Sequence, residues 1–452
     1  MGADALLKGE KKQLKTGFGW GLAAGVVIAL LLTLVPPERA IKYTGAALAA
    51  YFVWQRPKWG LYFSLVGLAF LPTMASGCLI LFTLVVAVIR RWAEEGEFNL
   101  ASGVDLPLWS FFILAGLASC TAVVGTESLK VLPFYILYLA AFYLAAVIPQ
   151  PRDIPWLLGG LVLAGLLAGA VGLLQYKSGI QTSLSWIDLQ QAEDIKTRVF
   201  GPFDNPNIFA EYLTFILPVA LVFFLTDRRL LAKTVWALAA ASAGAALVTT
   251  FSRGGWLAAL TGMLALGFLW EPWLLLVMAM AVLLLPTVAP RQVLTRAASI
   301  GSLEDSSNVF RLSIWAAVLK MIAAYWLTGI GPGPASFNRI YPLFMIAGTP
   351  AIHSHNLFLQ LALELGLPGL AAFVWILAAV FSRSLLLLPQ LDYPQRGVLA
   401  ALLSSLIGFL LHGLVDNVWY SPKIALLFWL MLGLTVALGK GADGSAGTAR
   451  NQ

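Results

Sequence analysis

Continuous apolar runs of about 15 to 25 residues recur along the whole chain, and nothing else in the sequence restricts its fold as much. A helix needs about 20 residues to cross the hydrocarbon of a bilayer. Inside lipid, every backbone N–H and C=O must find its partner within a helix or a closed barrel. The runs do not alternate in polarity, which selects helices over strands. Composition agrees: 11% of the residues are charged and 60% hydrophobic, whereas soluble domains carry about a quarter charged residues. The predicted fold class is all-α, a polytopic membrane helix bundle.

The spans read at about 18–35, 40–55, 59–74, 76–90, 106–124, 131–148, 154–175, 206–226, 232–250, 254–270, 272–288, 356–382, 397–415 and 421–439. That makes about fourteen, or about twelve if the short third and fourth form one re-entrant pair. Either even count puts both termini on one side. Arg56, Lys58, Arg90, Arg91, Arg152, Arg228, Arg229, Arg383 and Arg396 fall in loops on the same side as the N-terminus. Fewer basic residues, Arg39, Lys42, Lys130 and Lys423, fall in the short loops opposite. Positive residues favour the cytoplasmic side, so the termini are expected inside and the two long polar loops, 176–205 and 289–355, outside. The organisation expected is a cytoplasmic tail over 1–17, transmembrane regions over 18–234 and 381–439, a region over 235–380 holding the larger loop, and a second tail over 440–452.

The net charge of +7 is scattered through short loops, so it reads as a topology signal and a match for anionic lipid, not as a nucleic-acid surface. The two cysteines, Cys78 and Cys120, lie in or beside apolar runs and imply neither a disulfide framework nor a metal quartet. The first run is followed by Pro36-Pro37-Glu38-Arg39 with no small-residue cleavage site, so it is expected to be an uncleaved span.

The chemistry-bearing residues gather at the ends of spans on the outer side. Two of the three histidines, His353 and His355, occur in His353-Ser354-His355-Asn356, where the larger loop meets an apolar run. A histidine there can accept and return a proton near neutral pH, or simply bond a carbonyl at the start of a helix. His355 is the candidate base, with His353 in reserve and Asn356 beside it. Arg253 precedes two glycines at the start of another span. A guanidinium near hydrocarbon needs a partner or a task, and its planar fork suits a diphosphate. Arg311 heads an amphipathic segment from Asn308 to Tyr325, with Trp315 one turn on. Such a helix is expected to roof the bundle, in a loop that also carries the aromatic residues Trp315, Tyr325, Trp326 and Phe337. Arg198 and Arg339 are supporting candidates, and Glu364, inside a span, needs a partner. His412 and Asp416, four apart on one face, are expected to pair. The segment from Gly366 to Gly369, with Pro368, predicts a kink. His353 and His355 can supply two metal ligands, but no neighbouring carboxylate or cysteine in sequence completes a set, so no metal is assigned.

Arg253-x-x-x-Leu257, and His355-Asn356 followed after nine residues by Gly366-x-x-Gly369, resemble the two signatures of the O-antigen ligase family. Arg311 with Trp315 and the Gly-Ile-Gly-Pro-Gly segment after them resembles the family's periplasmic loop. The resemblance covers roughly residues 235–380. It implies a GT-C-type glycosyltransferase of the cytoplasmic membrane. The donor would be a polyprenyl-diphosphate-linked glycan, and the acceptor a hydroxyl on glycan, lipid or protein, with no cofactor or metal. By the resemblance, His355 is the base and Arg253 and Arg311 hold the diphosphate. A transporter or flippase of a small anion or lipid-linked oligosaccharide is the competing expectation; it calls for polar residues at mid-membrane on broken helices. A structural partner of an envelope assembly is the third.

Overall fold

The computed structural model describes residues 36–96, 100–180, 197–301 and 306–449. The helices are α1 (Pro37–Gln55), α2 (Lys58–Gly67), α3 (Thr73–Glu95), α4 (Asp105–Cys120), α5 (Gly125–Val147), α6 (Ile154–Ser178), α7 (Pro206–Thr226) and α8 (Leu230–Thr249). They continue with α9 (Arg253–Leu269), α10 (Trp273–Val288), α11 (Arg291–Ala298), α12 (Ser306–Ala324), α13 (Pro334–Ile340), α14 (Leu357–Leu387), α15 (Tyr393–His412) and α16 (Pro422–Ala449). No strand occurs among the described residues, and nine of the described helices are long and apolar enough to cross a membrane. The chain is an all-α polytopic membrane bundle. It divides into two compact units, residues 1–60 and 61–452. The first expected span, 18–35, lies outside the described residues.

Boundaries follow the local chemistry. α3 runs on to Glu95, past the expected end near residue 90, and closes at Gly96 in the left-handed conformation. The larger polar loop holds three helices, α11, α12 and α13, and α12 covers most of the segment from Asn308 to Tyr325. α12 buries Ile314, Ala317, Val318, Met321 and Ile322 in a cluster with Phe337 and Tyr341. Its outer face is apolar as well, with Val309, Leu312 and Leu319 exposed.

Two features of the larger unit set where its polar residues meet. The first is the crossing of α9 and α15. A side chain at Gly262 would meet the Ser404 carbonyl at 2.9 Å, and one at Gly408 would meet the Ala258 carbonyl at 2.8 Å. Gly254 lies against the His412 ring in the same way. These pairs, 254 with 412, 258 with 408 and 262 with 404, fix an antiparallel register in steps of four residues. Small residues at that spacing let backbones touch, and the register delivers Arg253 and His412 to one end of the bundle.

The second feature is a break in α14. Gly366 takes φ 72° and ψ 172°, which releases the local helical hydrogen bonds. The segment after α12 replaces them: Ile330 N–H donates to the Leu363 carbonyl (2.8 Å), Gly331 N–H to the Glu364 carbonyl (3.1 Å), and Leu367 N–H to the Trp326 carbonyl (2.7 Å). Buried backbone groups must be paired, so the Gly-Ile-Gly-Pro-Gly segment and the kink depend on each other. A Cβ on Gly366 would lie 2.5 Å from the Leu327 carbonyl oxygen at a left-handed φ. Gly366→Ala is therefore expected to cost about 2 kcal/mol or more, read as a lowered unfolding temperature in detergent.

Candidate functional site

The described residues with positive φ that are not glycine are Asp204 (59°), Phe251 (51°) and His355 (49°). Each immediately precedes a helix N-cap. Asn205 Oδ1 accepts from the N–H of Asn207 and Ile208 at the start of α7, Ser252 Oγ from Gly255 at the start of α9, and Asn356 Oδ1 from Leu359 at the start of α14. Such backbone strain costs about 1–3 kcal/mol per residue and is repeated here at three helix starts. Helix N-termini carry partial positive charge and favour anions.

These starts supply Asn207, Ser252, Arg253, Gly254 and His355 to the wall of one cavity of about 250 Å³, together with Arg198, Arg296, Arg311, His412 and Asp416. Four guanidinium groups therefore share the wall with a single carboxylate. Arg253 is buried and forks onto Ser299 (Nη1 to Oγ 2.9 Å, to O 3.3 Å) and Ser307 (Nη2 to Oγ 2.5 Å). Arg198 donates to the Thr250 carbonyl (2.9 Å) and to Asn207 Oδ1 (3.0 Å). Burial, then the charges of Arg296, Arg253 and Arg311, lower its pKa to about 9 against the pull of Asp416. Arg311 has no hydrogen-bond or salt-bridge partner among the described residues. Buried like charges are costly, and an anion in the cavity would relieve that cost.

His355 is held from across the chain. Its Nδ1 donates to Asp416 Oδ1 at 3.2 Å, while Asp416 also accepts from Asn207 Nδ2 (3.0 Å) and from the Asn417 N–H (2.8 Å). Burial pushes the Asp416 carboxyl up, but the hydrogen bond and charge of His355, with Arg311 and His412, hold it well below the usual carboxylate range. An ionised carboxylate on Nδ1–H leaves Nε2 as the basic nitrogen. His353 packs beside His355 at a ring separation of 4.1 Å and accepts its backbone N–H on Nδ1 (3.2 Å). Burial, with the neighbouring positive charges of His355 and Arg311, lowers the His353 pKa to about 4 against Asp416. The loop is laced to its surroundings: Asn356 Nδ2 donates to the Leu414 carbonyl (2.8 Å), Leu357 N–H to Gly413 (2.6 Å), and Trp315 Nε1 to Ser354 (3.0 Å).

Several sequence expectations come out differently. His412 does not pair with Asp416; its Nδ1 meets Glu211, in α7, and Asp416 takes His355 instead. Trp315 donates its indole N–H to the His355 loop, and Phe337 is fully buried against Tyr341, so the Phe337 ring has no free face. Arg339 is exposed on α13 and does not line the cavity. Glu364 does find the partners it needs: its Oε1 takes the Gln360 side-chain amide (2.8 Å) and the Gly333 N–H (3.2 Å). The carboxylate absent from the local sequence is supplied by the fold: single ligand atoms of His353, His355 and Asp416 lie within 4.8 Å of one another. That set has the donor chemistry for a divalent ion, but four guanidiniums on the same wall favour negative charge there. Asp416, Arg296 and His412 also line the cavity, and the sequence alone does not place them there. Asp416 and His412 carried a signal only as an i, i+4 pair.

Fold and cavity define a polytopic membrane protein with an arginine-lined cavity beside a carboxylate-held histidine. Residues 237–374 match the family described as O-antigen ligase, a stretch running from α8 into α14. The match supports the O-antigen ligase and polymerase superfamily, and a membrane glycosyltransferase of that type. No curated protein matches the chain.

Proposed function

We propose that the chain transfers a glycan from a polyprenyl diphosphate carrier to an acceptor hydroxyl at the outer face of the cytoplasmic membrane, with both termini inside. One observation carries this reading: Arg253, Arg311 and His355, far apart in sequence, line the same cavity. The guanidiniums and helix starts would hold the diphosphate and stabilise the charge that builds on it as the sugar leaves. His355 Nε2, with Asp416 fixing the tautomer, would take the acceptor proton. Proton acceptance and charge stabilisation come from side chains, so the proposed reaction needs no metal.

The test is the full chain in lipid nanodiscs, given a synthetic polyprenyl-diphosphate oligosaccharide and a panel of glycan, lipid and hydroxyl-peptide acceptors. Expected is acceptor-dependent release of polyprenyl diphosphate, unchanged by EDTA. Transport of the intact donor across sealed vesicles, with no bond cleaved under any acceptor, would favour the flippase reading instead.

A further inference from the structure

A second cavity, of about 320 Å³, lies on the other side of the histidine loop. This size falls within the range of small-molecule sites, about 300–1,000 Å³. Its wall includes Leu357, two residues after His355, and Asn417, which directly follows Asp416; His355 and Asp416 both line the arginine cavity. A run of hydrogen bonds ties the two together: Ser354 N–H donates to Gln360 Oε1 (2.8 Å), and Gln360 Nε2 donates to Glu364 Oε1 (2.8 Å). The His353 ring packs on Tyr420 at 5.2 Å, on the rim of this second cavity.

The lining combines aromatic rings with polar atoms that the protein leaves unused. Tyr135, Tyr138, Trp419 and Tyr420 surround Glu364 and Asn417. Among the described residues, Glu364 Oε2, the Asn417 side-chain amide, Trp419 Nε1 and the hydroxyls of Tyr135 and Tyr138 take no hydrogen bond, and none of these atoms is fully enclosed by protein. Leaving one carboxylate oxygen and a side-chain amide of largely buried residues without partners is costly. A purely apolar occupant such as a prenyl chain would leave them so. A pyranose ring has apolar C–H faces for the aromatic rings and a rim of hydroxyls that donate to a carboxylate and pair with an amide.

We propose that this aromatic cavity binds a pyranose ring of the acceptor, next to His355. The assignment rests on the glycosyl-transfer reading of the arginine cavity. In the step it serves, the acceptor O–H gives its proton to His355 Nε2 and the oxygen bonds to the donor's anomeric carbon. The bond from that carbon to the phosphate oxygen breaks, its electron pair leaving on the diphosphate.

The experiment uses photoreactive diazirine derivatives of a methyl hexopyranoside and a methyl N-acetylhexosaminide on the full chain in nanodiscs, with labelled peptides mapped by mass spectrometry. Expected is labelling within 131–138 and 417–420 that excess unmodified glycoside competes away and that saturating polyprenyl diphosphate leaves in place. Glu364→Gln keeps the shape and an oxygen for Gln360 and Gly333, and is expected to lower the labelling about tenfold. Labelling outside both segments, insensitivity to the competing glycoside, or full labelling in a folded Glu364→Gln protein would overturn the assignment. If that variant does not fold, competition on the unaltered chain decides. Specific labelling here without transfer to any acceptor would sink the transferase reading alone; transfer without labelling here would sink the sugar site alone.

Discussion

Glycan transfer by the His355→Ala protein is expected to fall about 10²- to 10⁴-fold, the range by which general-base catalysis commonly accelerates a reaction, while folding and membrane insertion persist. Two histidines line the arginine cavity, each with a carboxylate on Nδ1. Exposure decides between them. The His355 side chain is 26% exposed, whereas that of His412 is 1% exposed and is closed over by Gly254. Only the first can meet an acceptor without the helices parting. Asp416→Asn is expected to reduce transfer too, because an amide can donate to Nδ1 and select the tautomer that leaves the wrong nitrogen basic. Initial rates of diphosphate release on nanodisc-bound protein measure both variants. Full activity in His355→Ala would remove the imidazole from the reaction.

That residues 253, 311 and 355 bear on one site can be suspected from sequence because each combines a scarce polar residue with the edge of an apolar run. The kink was legible too, since Gly366 and Pro368 leave the helix little choice. The carboxylate on His355 was not, because it comes from 61 positions further on. Helical periodicity places His412 and Asp416 on one face but does not say which helix that face meets. What decides it is the spacing of small residues on α9 and α15. Gly254, Ala258 and Gly262 slide against Ser404, Gly408 and His412 in matching steps of four, and this turns His412 toward Glu211 on α7. The left-handed residues before the three N-caps were hidden for another reason: Phe has no preference for that conformation, and the enrichment of Asp and His in it leaves it uncommon for both, so tertiary context sets it.

Arg253→Ala is expected to lower the rate of transfer about 10²- to 10³-fold, the cost of deleting one preorganised group aimed at charge that develops in a transition state. Its fork is preorganised by Ser299 and Ser307 at one side, so little entropy is left to lose when an anion arrives. Arg311, with no hydrogen-bond or salt-bridge partner among the described residues, is the more adaptable of the two. Ser299 Oγ keeps its bond to the Arg296 carbonyl (2.9 Å) after the substitution, and the folding defect is expected to be smaller than the catalytic one. Arg253→Lys separates charge from geometry: it keeps a cation but not the planar fork, and should recover only part of the lost rate. If the deficit instead appears wholly as weaker donor binding, with the maximal rate unchanged, Arg253 holds the diphosphate equally in ground and transition states. Stabilisation of the leaving charge would then fall to Arg311 and the helix starts.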